Sequence, residues 1–440
     1  MLSDFIRRWL AVLSLVFGVA LGAYAERVKI DDLYYELDTS TRTATLTCQN
    51  TTTSNYASLP ASVTVPESVS YNGISFSVTT ISDRAFANCT ALESISIPAT
   101  VTKIGGTYSS ASHLPFYNCT SLKKVRFDDG ASPLSLGANY ISKSPYGKGL
   151  FYYAPLEEVY IGRNIVYEDY SSGDPFASSP KNYGYSAFYN QPKLTKVIIG
   201  ENVTDIPAFL FYNCTALASV DFGASLKSIP KYAFQSCALN TIELPNSVLS
   251  IGGYAFDSNS KLTSINIGTS VKTIGNYAFN NCVLLSDIQL GEKLTSIGDY
   301  AFASAGKNST VWNPLVLPET LTTIGGYAFS SSGVPSLYIP DAVTSIGNSA
   351  FASNARLCSI RFGTGCKTLP ESVLQDCSAL KELNLSDGIK TISDRAFSGC
   401  ASLESISIPA TVTKIGESDS YSTASHLPFY NCTSLKKSPF

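Results

Sequence analysis

The chain repeats one pattern of hydrophobic and polar positions about every 23 residues. The unit reads L-x-x-I-x-I-P-x-x-V-T-x-I-G-x-x-A-F-x-x-C, and residues 262–282 are one copy of it. Ile265 and Ile267 alternate with polar residues, which is typical of a β-strand with one face turned inward. Because one unit cannot bury its own apolar side chains, successive units are predicted to stack and share one core.

The phenylalanine of the A-F dipeptide sets the register of the repeat. Fourteen anchors occur, at Phe86, Phe116, Phe151, Phe188, Phe211, Phe234, Phe256, Phe279, Phe302, Phe329, Phe351, Leu374, Phe397 and Phe429. This spacing predicts a mainly β repeat solenoid of about 14 units of ~23 residues with a parallel β-sheet. In such a stack Phe234, Phe256 and Phe279 form a column.

The repeated pattern resembles the BspA-type leucine-rich repeat of secreted bacterial surface proteins, which also occurs in some parasitic protists. The resemblance covers residues 81–437. It implies a right-handed leucine-rich-repeat solenoid, exposure at a cell surface and adhesion to host or bacterial partners. It implies no enzymatic activity.

The segments outside the repeats have their own signals. Arg7 and Arg8 precede a short apolar run and an Ala-Tyr-Ala sequence, so residues 1–25 are predicted to be a secretory signal peptide. Residues 26–80 are expected to form a β-hairpin cap and an atypical lead-in repeat. Residues 81–437 are the repeats, with tyrosine-rich insertions at 128–186. The end at 438–440 is abrupt, as in a truncated gene.

Composition excludes some partners and leaves others open. Charged residues make up 15% of the chain, against a typical ~25%, and the formal net charge is −3. That balance offers no electrostatic footprint for nucleic acid. After the leader, no apolar stretch approaches the ~20 residues of a spanning helix, so no integral membrane insertion is expected.

Residues for catalysis or metal binding are scarce. The two histidines, His113 and His426, occupy one equivalent position in duplicated loops and cannot partner each other. No spacing is typical of a zinc, calcium or phosphate site. We therefore expect no catalytic residue, no metal and no cofactor.

Eleven cysteines are present, and most recur at the closing position of the unit. The recurring positions are Cys89, Cys119, Cys214, Cys237, Cys282, Cys377, Cys400 and Cys432. We interpret them as a ladder of small, half-buried thiols. Disulfides are the alternative, as Cys214–Cys237 or Cys358–Cys366.

The outward positions of the predicted strands are polar and vary, while the core positions hardly change. This layout predicts an extended recognition surface, which the tyrosine-rich insertions would widen. The candidate ligand-binding residues are Lys124, Arg126, Glu158, Tyr160, Tyr167, Tyr170, Tyr183, Tyr185, Lys196, Asp221, Glu243, Asn266, Gln289, Tyr338 and Arg361.

A column of tyrosines stands two residues before the anchor in five consecutive units. It consists of Tyr232, Tyr254, Tyr277, Tyr300 and Tyr327. Half-buried packing is the first interpretation, and a platform for sugars is the second.

These features favour a secreted or cell-surface protein that mediates adhesion without catalysis. The expected partner is a host matrix or cell-surface protein, another microbe's surface, or a glycan. A structural spacer or truncated fragment without its own ligand is one alternative. A carbohydrate-active enzyme on a β-solenoid is another, but the strand positions offer only scattered carboxylates such as Asp221 and Glu243.

Overall fold

A computed structural model describes residues 27–49, 56, 59–106, 113–137, 149–167, 186–416 and 426–436. Short strands and turns build almost all of these ranges. No helix within them is long and apolar enough to cross a membrane.

The strands follow the repeat closely. They are β1 (Arg27–Ile30), β2 (Leu33–Asp38), β3 (Thr43–Thr47), β4 (Ser62–Thr64), β5 (Ser68–Tyr71), β6 (Ile74–Ile81), β7 (Ser94–Ile97), β8 (Lys103–Ile104), β9 (Lys124–Phe127), β10 (Leu134–Leu136), β11 (Glu158–Ile161), β12 (Ile165–Tyr167), β13 (Lys196–Ile199), β14 (Ser219–Asp221), β15 (Ser228–Ile229), β16 (Thr241–Glu243), β17 (Ser250–Ile251), β18 (Ser264–Asn266), β19 (Thr273–Ile274), β20 (Asp287–Gln289), β21 (Ser296–Ile297), β22 (Thr323–Ile324), β23 (Ser336–Ile339), β24 (Ser345–Ile346), β25 (Ser359–Phe362), β26 (Thr368–Leu369), β27 (Glu382–Asn384), β28 (Thr391–Ile392) and β29 (Lys414–Ile415).

The first side of each unit is the L-x-x-I-x-I strand, and its outward side chains form what we call the strand face. Three parallel sheets lie along it, ordered β4-β7-β9-β11-β13-β14, β16-β18-β20 and β23-β25-β27. The sequence predicts one sheet here. Between β20 and β23 the ladder is interrupted because Pro314 occupies an outward strand position and has no N–H to donate.

The second side is the V-T-x-I segment, which pairs in register from unit to unit. Ile251 pairs with Ile274, and Ile274 with Ile297, in the parallel sheet β15-β17-β19-β21-β22-β24. The sequence marks this segment only as an apolar step, since a two-residue strand is too short to show alternation.

The third side contains the A-F dipeptide and is built from turns that bond to the next unit. Tyr254 N donates to Asn276 O at 2.9 Å, Phe256 N to Ala278 O at 2.9 Å, and Ser258 N to Asn280 O at 2.8 Å. The same set of bonds recurs in the neighbouring units. A third ladder of backbone hydrogen bonds therefore holds the units together.

The core lies between these three sides and is continuous. The ring centroids of Phe234 and Phe256 are 5.6 Å apart, and those of Phe256 and Phe279 are 5.3 Å apart, with nearly parallel planes. All three side chains are fully buried. The predicted repeat solenoid with its phenylalanine column is confirmed.

The closing cysteines complete the core as free thiols, and neither disulfide alternative is formed. Most are buried more completely than the half-buried ladder predicted from the sequence. Each of seven thiols donates to the anchor carbonyl of the preceding unit: Cys119, Cys214, Cys237, Cys282, Cys377, Cys400 and Cys432. Where Asn259 replaces cysteine, its amide donates to Phe234 O and Phe256 O, both at 2.8 Å. The closing position of the unit thus donates a hydrogen bond to the turn that contains the anchor residue.

The amino-terminal strands cover the start of the second side. β1, β2 and β3 form an antiparallel meander, and β3 then pairs parallel with β6. The region where the sequence predicts a hairpin therefore contains a third strand, β1. The first strand of the strand face, β4, pairs with β7.

Candidate binding groove on the strand face

Six of the sequence-predicted residues converge on adjacent strands of the first sheet. The parallel register places Lys124 of β9 opposite Glu158 of β11, and Glu158 opposite Lys196 of β13. It likewise places Arg126 opposite Tyr160. Asp221 lies on the next strand, β14, and completes the set.

Opposite charges lie next to each other throughout this cluster. Lys124 Nζ is 3.2 Å from Glu158 Oε2, and Lys196 Nζ is 3.8 Å from Asp221 Oδ2. These side chains remain substantially exposed. Exposed pairs of this kind contribute little to stability, so they define a surface rather than hold the fold together.

Arg126 is the most constrained cation of the group. Its guanidinium carbon lies 3.8 Å from the centroid of the Tyr160 ring. Arg126 Nε donates to Asp128 Oδ1 at 2.7 Å, and Nη2 lies 3.5 Å from Asp129 Oδ2. Desolvation lowers the pKa of Arg126, but the hydrogen bonds and charges of Asp128 and Tyr160 together outweigh it, so the net pKa shift is upward. Arg126 is a fixed cation stacked on an aromatic ring.

Tyr160 is fixed through its hydroxyl as well. It donates to Asp129, with Oη 2.8 Å from Oδ1 and 2.9 Å from Oδ2. Burial and this hydrogen bond raise the pKa of Tyr160, so the phenol stays protonated. A Cβ on Gly200 would lie 2.9 Å from Tyr160 Oη and 3.0 Å from Asp129 Oδ1. A larger residue at this position would therefore displace the pair.

An open groove runs beside these residues over β4 and β7. It has a volume of about 260 Å³, and we call it the strand-face groove. Small hydroxyl side chains form part of its floor. Ser94 Oγ donates to Ser62 Oγ at 2.8 Å, and Ser96 Oγ donates to Asp128 Oδ1 at 3.1 Å. The lining residues are Ser62, Val63, Thr64, Ser94, Ile95, Ser96, Lys124, Val125, Arg126, Glu158, Tyr160 and Ile198.

Five other predicted residues lie on the strand face but away from the groove. Glu243, Asn266 and Gln289 are in register on β16, β18 and β20. Tyr338 and Arg361 are opposite each other on β23 and β25, with the guanidinium carbon 5.4 Å from the ring centroid. The structure therefore divides the predicted surface into separate groups.

Of the predicted tyrosines from 167 to 185, Tyr167 is the one that the structure describes, and it does not line the groove. Tyr167 lies in β12 on the second side, where its hydroxyl accepts from Ala187 N at 3.3 Å and lies 3.5 Å from Ser186 Oγ. Tyr170, Tyr183 and Tyr185 lie outside the described residues.

Two features of the groove were not predicted from the sequence. Asp128 and Asp129 follow β9 directly and hold Arg126 and Tyr160, as described above. Arg163 lies beneath them and is fully buried. Its Nη1 donates to Ala99 O at 2.6 Å and its Nη2 to Pro98 O at 2.8 Å. Burial lowers the pKa of Arg163 to about 10, although the Asp128 carboxylate acts in the opposite direction.

The tyrosine column on the third side is a continuous stack. Tyr277 lies 4.6 Å from Tyr254 and 4.6 Å from Tyr300, with planes within 6° of parallel. Phe209 extends the column by stacking on Tyr232 at 4.4 Å. Because the ring faces are used within the stack, the arrangement fits packing better than a row of open sugar platforms.

The chemistry available in the groove is recognition by hydrogen bonds and stacking. Its cations are paired with carboxylates, and its aromatic ring is covered by Arg126. Across the described ranges, no group of three or more His, Cys, Asp or Glu side chains is arranged to hold a metal ion.

Comparisons with known proteins agree with this architecture. The profile of the BspA type leucine rich repeat region matches residues 67–168, 181–310 and 307–436, with six copies. No protein with a curated description matches the chain in sequence.

Several solved structures are similar to the chain. A leucine-rich repeat protein from Bacteroides ovatus is 23% identical over 88% of this chain and 90% of its own, with a TM-score of 0.46. A leucine rich cell surface protein from Faecalibacterium prausnitzii is 25% identical over 94% of each chain, with a TM-score of 0.40. The pneumococcal vaccine antigen PcpA is 18% identical over 90% of this chain and 94% of its own, with a TM-score of 0.36.

The family profile covers most of the chain, and the units it matches are those that stack in the structure. The resemblance read from the repeated pattern is confirmed. The chain belongs to the BspA-type leucine-rich repeat family.

Proposed function

We propose that this protein is a secreted or cell-surface adhesin that binds its partner through the strand-face groove and catalyses no reaction. The partner is a host matrix or cell-surface protein, another microbe's surface, or a glycan on either. One observation carries the proposal: Lys124, Arg126, Glu158 and Tyr160 meet on adjacent strands around an open groove. Polar side chains held rigidly around an opening favour specific recognition, because little side-chain freedom is lost on binding.

The state of the carboxylates supports binding over hydrolysis. Asp128 and Asp129 accept hydrogen bonds from Arg126 and Tyr160, and Glu158 is paired with Lys124. A general acid needs a raised pKa and a carboxyl group free to approach the scissile bond. Carboxylates engaged by neighbouring donors suit a structural part in recognition.

The extracellular location rests on two supports. The sequence of residues 1–25 is typical of a secretory leader. Membership of the BspA-type family points the same way, since this repeat is typical of surface proteins.

A binding assay with matched variants tests the proposal. The chain from Glu26 to Phe440 is immobilised and exposed to matrix proteins, to intact cells and to a glycan array. We expect a partner retained at micromolar concentration, and at least ~tenfold weaker binding in the double variant Arg126→Ala/Tyr160→Ala. Arg356→Ala is the control, because it removes an exposed arginine that precedes β25 and does not line the groove. Unchanged binding by the double variant would contradict the proposal.

A structural spacer is the second candidate. The continuous core and the three ladders of hydrogen bonds make the stacked units a rigid body, which a spacer requires. This candidate predicts that no partner is retained and that the double variant behaves as the parent chain does.

A further inference from the structure

We propose that the strand-face groove takes a neutral glycan, and that the buried Arg163 is a positioning residue for its Arg126–Tyr160 pair. The inference rests on the proposed function and specifies its ligand class. Three observations carry it: the charge balance of the groove, its hydroxyl floor, and the network beneath it.

The charges around the groove compensate one another. Three cations, Lys124, Arg126 and Lys196, each have a carboxylate partner within 4 Å. The four carboxylates are Asp128, Asp129, Glu158 and Asp221. A strongly acidic or basic partner gains little attraction here, because each of these charges already has an opposite charge beside it. The groove therefore suits a ligand that carries no net charge.

The floor of the groove offers groups that match sugar hydroxyls. Ser62 and Thr64 of β4 stand in register with Ser94 and Ser96 of β7. A hydroxyl both donates and accepts hydrogen bonds, so it pairs with a sugar hydroxyl in either sense. These small side chains also leave room, since the groove of about 260 Å³ opens above them. Beside them, the guanidinium of Arg126 is held on the Tyr160 ring, so its remaining N–H groups point in set directions.

Arg163 connects three units beneath this site. From the unit of β11 it reaches the carbonyls of Pro98 and Ala99, which follow β7. The loop after β9 lies on its stem: a Cβ on Gly130 would be 3.4 Å from Arg163 Cδ and 3.0 Å from Ala99 Cβ. That loop carries Asp128 and Asp129, which fix Arg126 and Tyr160. A change in the position of Arg163 would therefore shift this loop, and with it the Arg126–Tyr160 pair.

Burying a guanidinium that is not bonded to a carboxylate costs free energy, so arginine is an unfavourable residue for supporting a loop. Among the described residues, the Arg163 Nε atom is buried with no hydrogen-bond partner, which costs free energy. The aligned positions of two other units, Glu201 and Thr269, are exposed and make no such contact. The repeat can therefore be built without this arginine, and its placement under the groove indicates a role in shaping the site.

Titration calorimetry with chosen probes tests the ligand class. The chain from Glu26 to Phe440 is titrated with neutral probes (mannan, dextran and an N-acetylglucosamine tetramer) and with acidic ones (hyaluronan and polyglutamate), at 0.05 and 0.5 M NaCl. We expect at least one neutral probe to bind, with an affinity that changes less than ~twofold between the two salt concentrations, because no ion pair is screened. Binding of acidic probes alone, weakening steeply with salt, overturns the inference.

A double-mutant cycle tests the role of Arg163. Arg163→Met keeps most of the stem and removes the charge, and we expect ~fivefold weaker binding of the neutral probe. In the Arg126→Ala background the same change should have almost no further effect, because Arg163 acts through Arg126. Equal losses of binding affinity in both backgrounds would show that Arg163 supports the fold and does not position Arg126. Arg356→Ala, which removes an exposed arginine outside the candidate residues, should bind as the parent does.

A second variant covers the case in which Arg163→Met does not fold. Gly130→Ala places a methyl group against Ala99 and lifts the loop from Arg163, and it should weaken binding without removing any charge. If a protein partner binds at Arg126 and Tyr160 while every neutral glycan fails, only the ligand class is wrong. If neither proteins, cells nor glycans are retained, the proposed function fails as well.

Discussion

The same fourteen residues occur twice in this chain and are buried more completely in one place than in the other. Leu92–Gly105 and Leu403–Gly416 have identical sequences. In the first copy, Ser94–Ile97 form β7 between β4 and β9. In the second copy, residues 405–408 form no strand. Ile95 is 2% exposed, whereas its counterpart Ile406 is only partly buried.

The segment that follows each copy shows the same contrast. Leu114 is 1% exposed, while Leu427, at the equivalent position, is 60% exposed. Cys119 is fully buried and Cys432 is partly buried. Because the sequences are the same, the difference comes from the neighbours. A unit of this solenoid supplies apolar side chains, and the units on both sides of it decide how much of them is buried.

The largest test of this contrast removes one isoleucine side chain from each copy. Ile95→Ala leaves a cavity between β4 and β9 and should lower the free energy of unfolding by about 3 kcal/mol. Ile406→Ala removes a partly exposed side chain and should cost about 1 kcal/mol. Urea unfolding followed by circular dichroism measures both. The outward pair Ser96→Ala and Ser407→Ala is the control, and equal losses for the two isoleucines would refute the comparison.

Repetition explains what the sequence allowed us to predict. The phenylalanine column and the polar strand face follow from the recurring period, since only stacking buries every copy. The contact between Lys124, Arg126, Glu158 and Tyr160 has the same origin, since outward positions of neighbouring strands must be neighbours in space.

Features that occur once could not be predicted in this way. Arg163 has no counterpart in the aligned positions, so no periodicity indicated that it is buried or that it bonds to Pro98 and Ala99. Asp128 and Asp129 begin an irregular insertion whose path the repeat does not determine. Pro314 did carry a usable signal, because a proline in a strand position is incompatible with a central ladder.

At alkaline pH, the thiols of the two copies, Cys119 and Cys432, should affect stability to different extents. Burial raises the pKa of Cys119 strongly. It also raises the pKa of Cys432, but by less, because this thiol is less completely buried. Both thiols therefore hold their proton more tightly in the folded state. An unfolded thiol loses its proton near pH ~8.5. Above that pH the unfolded state binds fewer protons than the folded state, so stability falls as pH rises toward the folded pKa. For a fully buried thiol the loss is about 1.4 kcal/mol per pH unit.

The measurement uses one alanine variant per copy. Urea midpoints are recorded at pH 8, 9 and 10 for the parent chain, Cys119→Ala and Cys432→Ala. Removing Cys119 should reduce the loss of stability at alkaline pH more than removing Cys432 does. Tyrosine and lysine titrations are common to all three proteins, so they do not affect this comparison. Identical slopes for the two variants would contradict the assignment of the pKa shift to burial.

The tyrosine stack on the third side also shows that neighbouring units decide how many contacts a residue makes. Tyr277 stacks on a ring at each side, while Tyr327 stacks only on Tyr300, because the next position in the column is Ser349. Tyr277→Ala should cost about 2 kcal/mol and Tyr327→Ala about 1 kcal/mol, at ~0.5–1.5 kcal/mol per aromatic pair. Tyr277→Phe keeps the stack and should be nearly neutral. A larger loss at Tyr327 than at Tyr277 would count against stacking as the source.

The smallest effect is expected for an ion pair that only the second copy forms. Lys436 Nζ contacts Glu404 Oε2, and this hydrogen bond lowers the pKa of the fully exposed Glu404 carboxyl. A lowered folded pKa gives stability that is present above the unfolded pKa and is lost as pH falls through the folded one. Because the pair is exposed, salt should screen it. In an NMR titration, the Glu404 pKa should rise toward its ordinary value in 0.5 M NaCl or in Lys436→Ala. A salt-independent pKa at Glu404 would mean that this end of the stack is covered, and that the two copies are more alike than their burial indicates.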